Sequence, residues 1–129
     1  MKKIIVGGTA FGKVLRSEIP INFLGAVDKK TGKVLDKNHD LFGKSVKDSI
    51  LVFPNGVGSS VGAYTIYSLK SNGVAPLAMI CKKADLTVAT GCALAGIPMV
   101  VVSNDEFETI REGTITLDTE TQKLTLSAS

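Results

Sequence analysis

Apolar positions along the chain fall into three regimes. In the first third they form short runs broken by glycine and lysine: Lys3 to Val6, Lys13 to Ser17 and Asn22 to Val27 read as strands. The turn Asp28-Lys-Lys-Thr-Gly32 feeds a fourth at Lys33 to Leu35, so this part predicts a β meander. Asp36 to Lys47, rich in Asn, Asp and Gly, reads as a long surface connection with one apolar tether at Leu41 and Phe42. In the middle third the runs lengthen. Ile50-Leu-Val-Phe53 is apolar without interruption, the mark of a strand buried on both faces, and it stops abruptly at Pro54-Asn-Gly-Val-Gly-Ser-Ser60. Val61, Tyr64, Ile66, Tyr67 and Leu69 then recur at helical spacing up to Lys70, with Asn72-Gly73 as a left-handed cap. A strand at Leu77 to Cys81, a short helix of small residues at Leu86 to Ala95 and a strand at Met99 to Val102 complete a βαβαβ unit. In the tail, Glu106 to Arg111 predicts one or two helical turns. Thr114 to Asp118 and Lys123 to Ser127 alternate around the polar turn Thr119 to Gln122 and form a hairpin. No repeat or linker interrupts this order. The fold class is therefore α/β, a β/β/α sandwich-like arrangement expected to form one domain over residues 1–129.

Composition narrows the picture. With 44% hydrophobic residues, 5% aromatic and no Trp, the core must be built from Val, Ile, Leu and Ala. The formal charge is +3, but Lys29, Lys30, Lys33, Lys44 and Lys47 are scattered through turns, a pattern that argues against nucleic acid and for a small anionic substrate or an acidic partner. Cys81 and Cys92 lack C-x-x-C spacing, and the single histidine, His39, cannot complete a metal site with them, so no metal is expected on this chain. The apolar run near Lys2 and Lys3 is too short for a signal peptide, and no stretch approaches the roughly 20 apolar residues of a membrane span. A cytoplasmic protein with reduced thiols, away from membranes, is the expectation.

The segment that can carry chemistry is Gly56-Val-Gly-Ser-Ser60, set between a buried strand and a helix. Glycines there permit positive φ and leave backbone N–H groups free to converge on an anion, and the positive end of the helix dipole points to the same place. Ser59 and Ser60 lie at that focus, where a hydroxyl can cap the helix, ligate an anion or, with its alkoxide stabilised, remove a proton. From pattern alone the plain alternative is that one serine is the N-cap and the glycines merely make the turn. The loop lacks the G-K-[ST] ending of a phosphate-binding Walker loop and is not G-x-S-x-G, and no histidine serves the serine unless His39 folds over it, which disfavours a self-contained hydrolase. His39 reads as a surface or loop residue. Asp85 and Thr87 read as the start of the second helix, and Cys92 as packing on a tight helix face. Arg16 and Arg111, the two arginines, could clamp a carboxylate but read as surface groups.

The set Pro20-Ile-Asn-Phe-Leu-Gly25 with Val27-Asp28, Asp36 to Gly43, Ile50-Leu-Val-Phe-Pro54, the glycine-serine loop, Val61-Gly-Ala-Tyr64, Asn72-Gly-Val-Ala-Pro76 and Ala95-Gly-Ile-Pro-Met99 resembles the small subunit of aconitase X-type dehydratases over residues 1–102. The C-terminal hairpin resembles the family only loosely. The resemblance implies a swivelling β/β/α domain, equivalent to the fourth domain of aconitase, that closes over a large aconitase X-type subunit holding a 4Fe-4S cluster. It further implies dehydration of (R)-5-phosphomevalonate to trans-anhydromevalonate 5-phosphate, a step of isoprenoid synthesis. The cluster acts there on the departing hydroxyl, and the first serine after the glycines takes the carbon-bound proton. That role falls on Ser59 as catalytic residue, with Gly56, Gly58 and Ser60 holding substrate. Loops of the family usually carry Lys or Arg between the glycines, whereas this chain has Val57. A dehydratase of the cis-3-hydroxyproline type, or an anion-binding or scaffold module without chemistry, are the competing expectations.

Overall fold

The structure is a computed structural model and describes residues 1–127. Seven strands form one sheet in the order β1-β5-β4-β3-β2-β6-β7. They are β1 (Lys3–Val6), β2 (Thr9–Arg16), β3 (Ser49–Phe53), β4 (Ala78–Cys81), β5 (Met99–Val101), β6 (Thr114–Asp118) and β7 (Lys123–Ser127). Four helices accompany them: α1 (Phe23–Ala26), α2 (Gly62–Ser71), α3 (Leu86–Ala95) and α4 (Asn104–Thr109). β2, β3, β4 and β5 run parallel, with β1 antiparallel at one edge and the β6–β7 hairpin antiparallel at the other.

The unbroken apolar run in β3 follows from burial of both its faces. Leu51 and Phe53 face the helices and pack with Phe23, Ile66, Leu69, Val88 and Cys92. Ile50 and Val52 face the other way, into a second core with Ile80, Val100, Phe107, Ile115 and Leu117. Alternation along the strand thus serves two cores at once, as expected of a parallel strand with layers on either side. Helices α2 and α3 pack closely because Gly91 has no side chain: a Cβ there would stand 2.8 Å from Ile66 Cδ1 and 3.2 Å from Ala63 Cα.

Connectivity forces the sheet to curl. Four strand spacings separate β1 from β2 in the sheet order, about 19 Å when flat, yet only Gly7 and Gly8 join them, a link that spans about 11 Å at full extension. The first half of β2 therefore crosses beneath the starts of the central strands. A Cβ at Gly8 would come within 2.6 Å of Pro98 just before β5, and one at Gly12 within 2.9 Å of Leu77 just before β4.

The βαβαβ centre and the final hairpin match the sequence reading. The meander does not. Residues 22–27 form α1, one helical turn whose N-cap is Asn22, accepting from Gly25 N–H at 3.4 Å, and not a strand. Lys33 and Val34 make only isolated bridges, to Ser45 and Val27, in place of a fourth strand. β1 pairs with β5, and β2 with β3 and β6, so the two early strands do not pair with each other, and only the single bridge of Val27 to Val34 joins any two of the early segments. In the connection before β3, Leu41 is buried as the tether whereas Phe42 is exposed. No helix among the described residues is long and apolar enough to cross a membrane.

Candidate functional site

The loop leaves the C-terminal end of β3 and enters α2. Its first half is held rigidly. Val57 N–H donates to the Ile21 carbonyl at 3.1 Å and Ile21 N–H to the Asn55 carbonyl at 3.1 Å, a short parallel bridge that stitches the loop to the segment before α1. Gly56 N–H donates to Asp85 Oδ1 at 2.8 Å, while Asp85 Oδ2 accepts from Val88 N–H at 3.2 Å as the N-cap of α3. One carboxylate thereby closes the second helix and fixes the start of the first loop. A side chain at Gly56 would collide with Val88 and with that carboxylate, at 2.5 and 2.9 Å.

The second half of the loop is left open. Ser59 and Ser60 are exposed, as is Val57. The N-cap of α2 is Val61, which has no side chain able to accept, and the turn is closed by backbone and serine instead. Val61 N–H donates to Ser59 Oγ at 3.1 Å, Gly62 N–H to the Ser59 carbonyl at 2.9 Å and Ala63 N–H to the Ser60 carbonyl at 3.1 Å. The N–H groups of Gly58, Ser59 and Ser60 donate to no acceptor among the described residues. Three consecutive free amides stand exposed beside a helix N-terminus, with Gly58 at φ +93°, where unpaired N–H groups and the helix dipole favour an anion. Ser59 Oγ is positioned there by the Val61 amide, and its own proton is uncommitted.

The structure brings Gly56, Gly58, Ser59 and Ser60 together as expected from their adjacency and ties Asp85 to Gly56, while His39, Arg16 and Arg111 make their contacts with other segments. His39 is buried, not a surface residue: Nε2 lies 3.2 Å from the Pro20 carbonyl and Nδ1 accepts from Leu41 N–H at 3.1 Å, so both nitrogens hold the connection before β3 in place. Arg16 is likewise no surface group. Its side chain is 6% exposed, lies 4.1 Å from the centre of the Phe107 ring, donates to the Phe107 and Ile110 carbonyls at the end of α4, and pairs with Glu18 and Glu108. The hydrogen bond from Arg16 holds the Glu18 carboxyl below its usual range. Arg111 is exposed and pairs with Glu108 and Glu18. Burial pushes the Cys92 thiol up to about 12 and the Cys81 thiol well above its ordinary value, so both are neutral fillers of the helix-side core.

Two neighbours of the loop escaped the sequence reading. Asp85 was legible as a helix start, but its bond to Gly56 spans 29 residues and has no local signature. Asn22 lies against Gly58: a Cβ on Gly58 would fall 2.6 Å from Asn22 Oδ1, so the glycine is required by that amide as well as by its φ. A capping-type residue after Ile21 was the available signal.

A parallel-centred α/β domain with an open glycine-serine loop at the strand ends is the class that these features define. A family model described as the aconitase X swivel domain matches residues 1–126, and the chain belongs to that family. Among curated relatives, the phosphomevalonate dehydratase small subunit of Methanocella arvoryzae is 52% identical over 116 residues, 88% of either chain. That of Thermococcus sibiricus is 50% identical over 113 residues, 86% of this chain and 84% of its own. Among solved structures, the holo-form of Thermococcus kodakaraensis aconitase X superposes with a TM-score of 0.91 at 41% identity, covering 98% of this chain and 95% of that one.

Proposed function

We propose that this chain is the small subunit of a cytoplasmic, heteromeric hydro-lyase that dehydrates (R)-5-phosphomevalonate to trans-anhydromevalonate 5-phosphate, and that Ser59 is its base. The observation that carries the reading is the trio of free amides at Gly58, Ser59 and Ser60, with the Ser59 hydroxyl set among them. As its alkoxide, Ser59 Oγ takes the carbon-bound proton and becomes a neutral hydroxyl, the C–H electron pair forms the new C=C bond as the C–O bond breaks, and the departing hydroxide takes a proton from solvent to leave as water. Gly56 and Gly58 let the backbone approach the substrate, and Ser60 adds a second hydroxyl at the mouth.

Magnitudes say why a larger partner is needed. Bringing a serine hydroxyl, whose pKa lies far above neutrality, to its alkoxide at neutral pH takes about 12 kcal/mol at about 1.36 kcal/mol per unit. Three amides at about 1.5–3 kcal/mol each toward a charged acceptor, and a helix end at about 0.3–1, supply roughly 5–10 even if all aimed at one oxygen. The loop carries Val57 and no cation, so the remainder must come from the large subunit as positive charge and exclusion of water. Cys81 and Cys92 are enclosed in the helix-side core and offer no thiolate to a cluster, which supports the reading in which the large subunit carries the 4Fe-4S group. Bound there, it would supply Lewis acidity toward the leaving hydroxyl.

The test is anaerobic dehydration of (R)-5-phosphomevalonate by the chain co-expressed with its large subunit, wild type against Ser59→Ala. Activity in the wild type that collapses in the variant supports the assignment. Equal activity in both removes Ser59 as base, and none in either points to another substrate or to anion binding without chemistry.

A further inference from the structure

The Asn22 side chain touches the loop one residue before Ser59, and only one end of its amide is engaged. An N-cap must accept from its helix, so Oδ1 faces Gly25 N–H, as found at 3.4 Å. Nδ2, which carries two protons, lies between the two glycines, 3.2 Å from where a Cβ on Gly25 would stand and 2.9 Å from where one on Gly58 would. Among the described residues nothing accepts from it, and Asn22 is half-buried, within reach of solvent. The whole amide is pressed against Gly58: a Cβ on that glycine would fall 2.6 Å from Asn22 Cγ and Oδ1 and 2.9 Å from Nδ2. The bridge between Ile21 and Gly56 fixes the backbone on either side, so the amide cannot drift from the loop.

We infer that Asn22 is a substrate-binding residue, its Nδ2–H₂ group donating to the anionic substrate held over the free amides of Gly58, Ser59 and Ser60. This rests on the dehydratase reading above and adds to it a side-chain donor from a different part of the sequence. A neutral donor suits the place. It strengthens as negative charge gathers on the substrate, and an amide, neither acidic nor basic near neutrality, trades no proton with Ser59. A role confined to capping α1 makes a different prediction, because Ser and Asp cap as well as Asn does.

The experiment uses the complex of this chain with its large subunit, comparing wild type, Asn22→Ser, Asn22→Asp and Ser59→Ala in steady-state dehydration of (R)-5-phosphomevalonate, with thermal melting of each complex. Both Asn22 variants retain the cap, and their melting temperatures are expected to stay within a few degrees of wild type. The expected kinetic result is a loss in kcat/KM of about 10- to 100-fold for Asn22→Ser, the cost of one hydrogen bond to a charged acceptor. A larger loss is expected for Asn22→Asp, whose carboxylate repels the anion. Unchanged kinetics in both Asn22 variants, with Ser59→Ala inactive, overturns the role of Asn22 and leaves the dehydratase reading standing. Equal losses in both that track a drop in melting temperature also overturn it, since they report capping alone. An inactive wild-type complex overturns both readings together.

Discussion

The chain makes the same structural move twice, and the two results differ. After β3 it enters α2 through Pro54–Val61, and after β4 it enters α3 through Lys82–Asp85. In the second unit the helix end is closed from within: Asp85 caps α3 by accepting from Val88 N–H. In the first unit no side chain caps α2, and three amides at its mouth remain free. An uncapped helix start costs about 1 kcal/mol relative to a capped one. Leaving that stabilisation out at one of two equivalent places, where glycines also hold the backbone open, favours the proposed site over a plain turn. The closed unit moreover supports the open one, because Asp85 also binds Gly56 N–H.

The contrast can be broken in order of expected effect. Ser59→Ala should lower dehydration by the complex about 10²- to 10⁴-fold, the usual contribution of a positioned base, with no change in melting. Asp85→Ala should act on both units at once. It removes the cap of α3, about 1 kcal/mol, and strands the buried Gly56 N–H, about 1–3 kcal/mol more, for a combined destabilisation of about 2–4 kcal/mol by chemical denaturation. A loss confined to about 1 kcal/mol would mean that the tie to the loop contributes nothing. Val57→Lys, at an exposed position, should leave stability within about 0.5 kcal/mol. It should tighten anion binding in a way that fades as salt rises, which titration at two ionic strengths would read.

The buried thiols of the second unit also dictate a response to alkaline pH. Burial, then the nearby charge of Asp85, raises Cys92 from an ordinary 9.0 to about 12. The unfolded chain therefore releases this proton before the folded one does. The resulting stabilisation is complete below about pH 9 and is lost as pH climbs to about 12. Melting followed across that window should fall more steeply in wild type than in Cys92→Ala. Alkylating reagents should leave both thiols of the native protein unmodified at pH 8.

How much of this could be read from the chain alone follows from the range of each interaction. β3, α2, α3 and the hairpin β6–β7 announce themselves through local pattern: an apolar run ended by Pro54, spacing in α2, Asp85 as cap, a polar turn at residues 119–122. The loop serines were legible for the same reason, since strand, glycine and helix follow one another directly. Residues 22–27 were misread because Phe23 and Leu24 have strand-like side chains and a single helical turn has too few positions to display a period. The meander failed because pairings such as Thr9 with Asp118 are decided by tertiary packing and leave no trace nearby. Arg16 and His39 looked exposed because their partners, Phe107 and Ile110 for one and Pro20 for the other, are brought to them by the fold.

The pairing of β2 with β6 has a consequence for the order in which the protein is made. β2 is synthesised well before β6, and its one edge can pair with β3 early, but its other edge waits for residues 114–118. At about 5–20 residues per second, that edge stays open for several seconds of synthesis, an exposed template for any strand that passes. Lys13 along β2 and Gly12 within it, a charge and a weak strand former, stand where they discourage such mispairing until the C-terminal hairpin arrives to close the sheet.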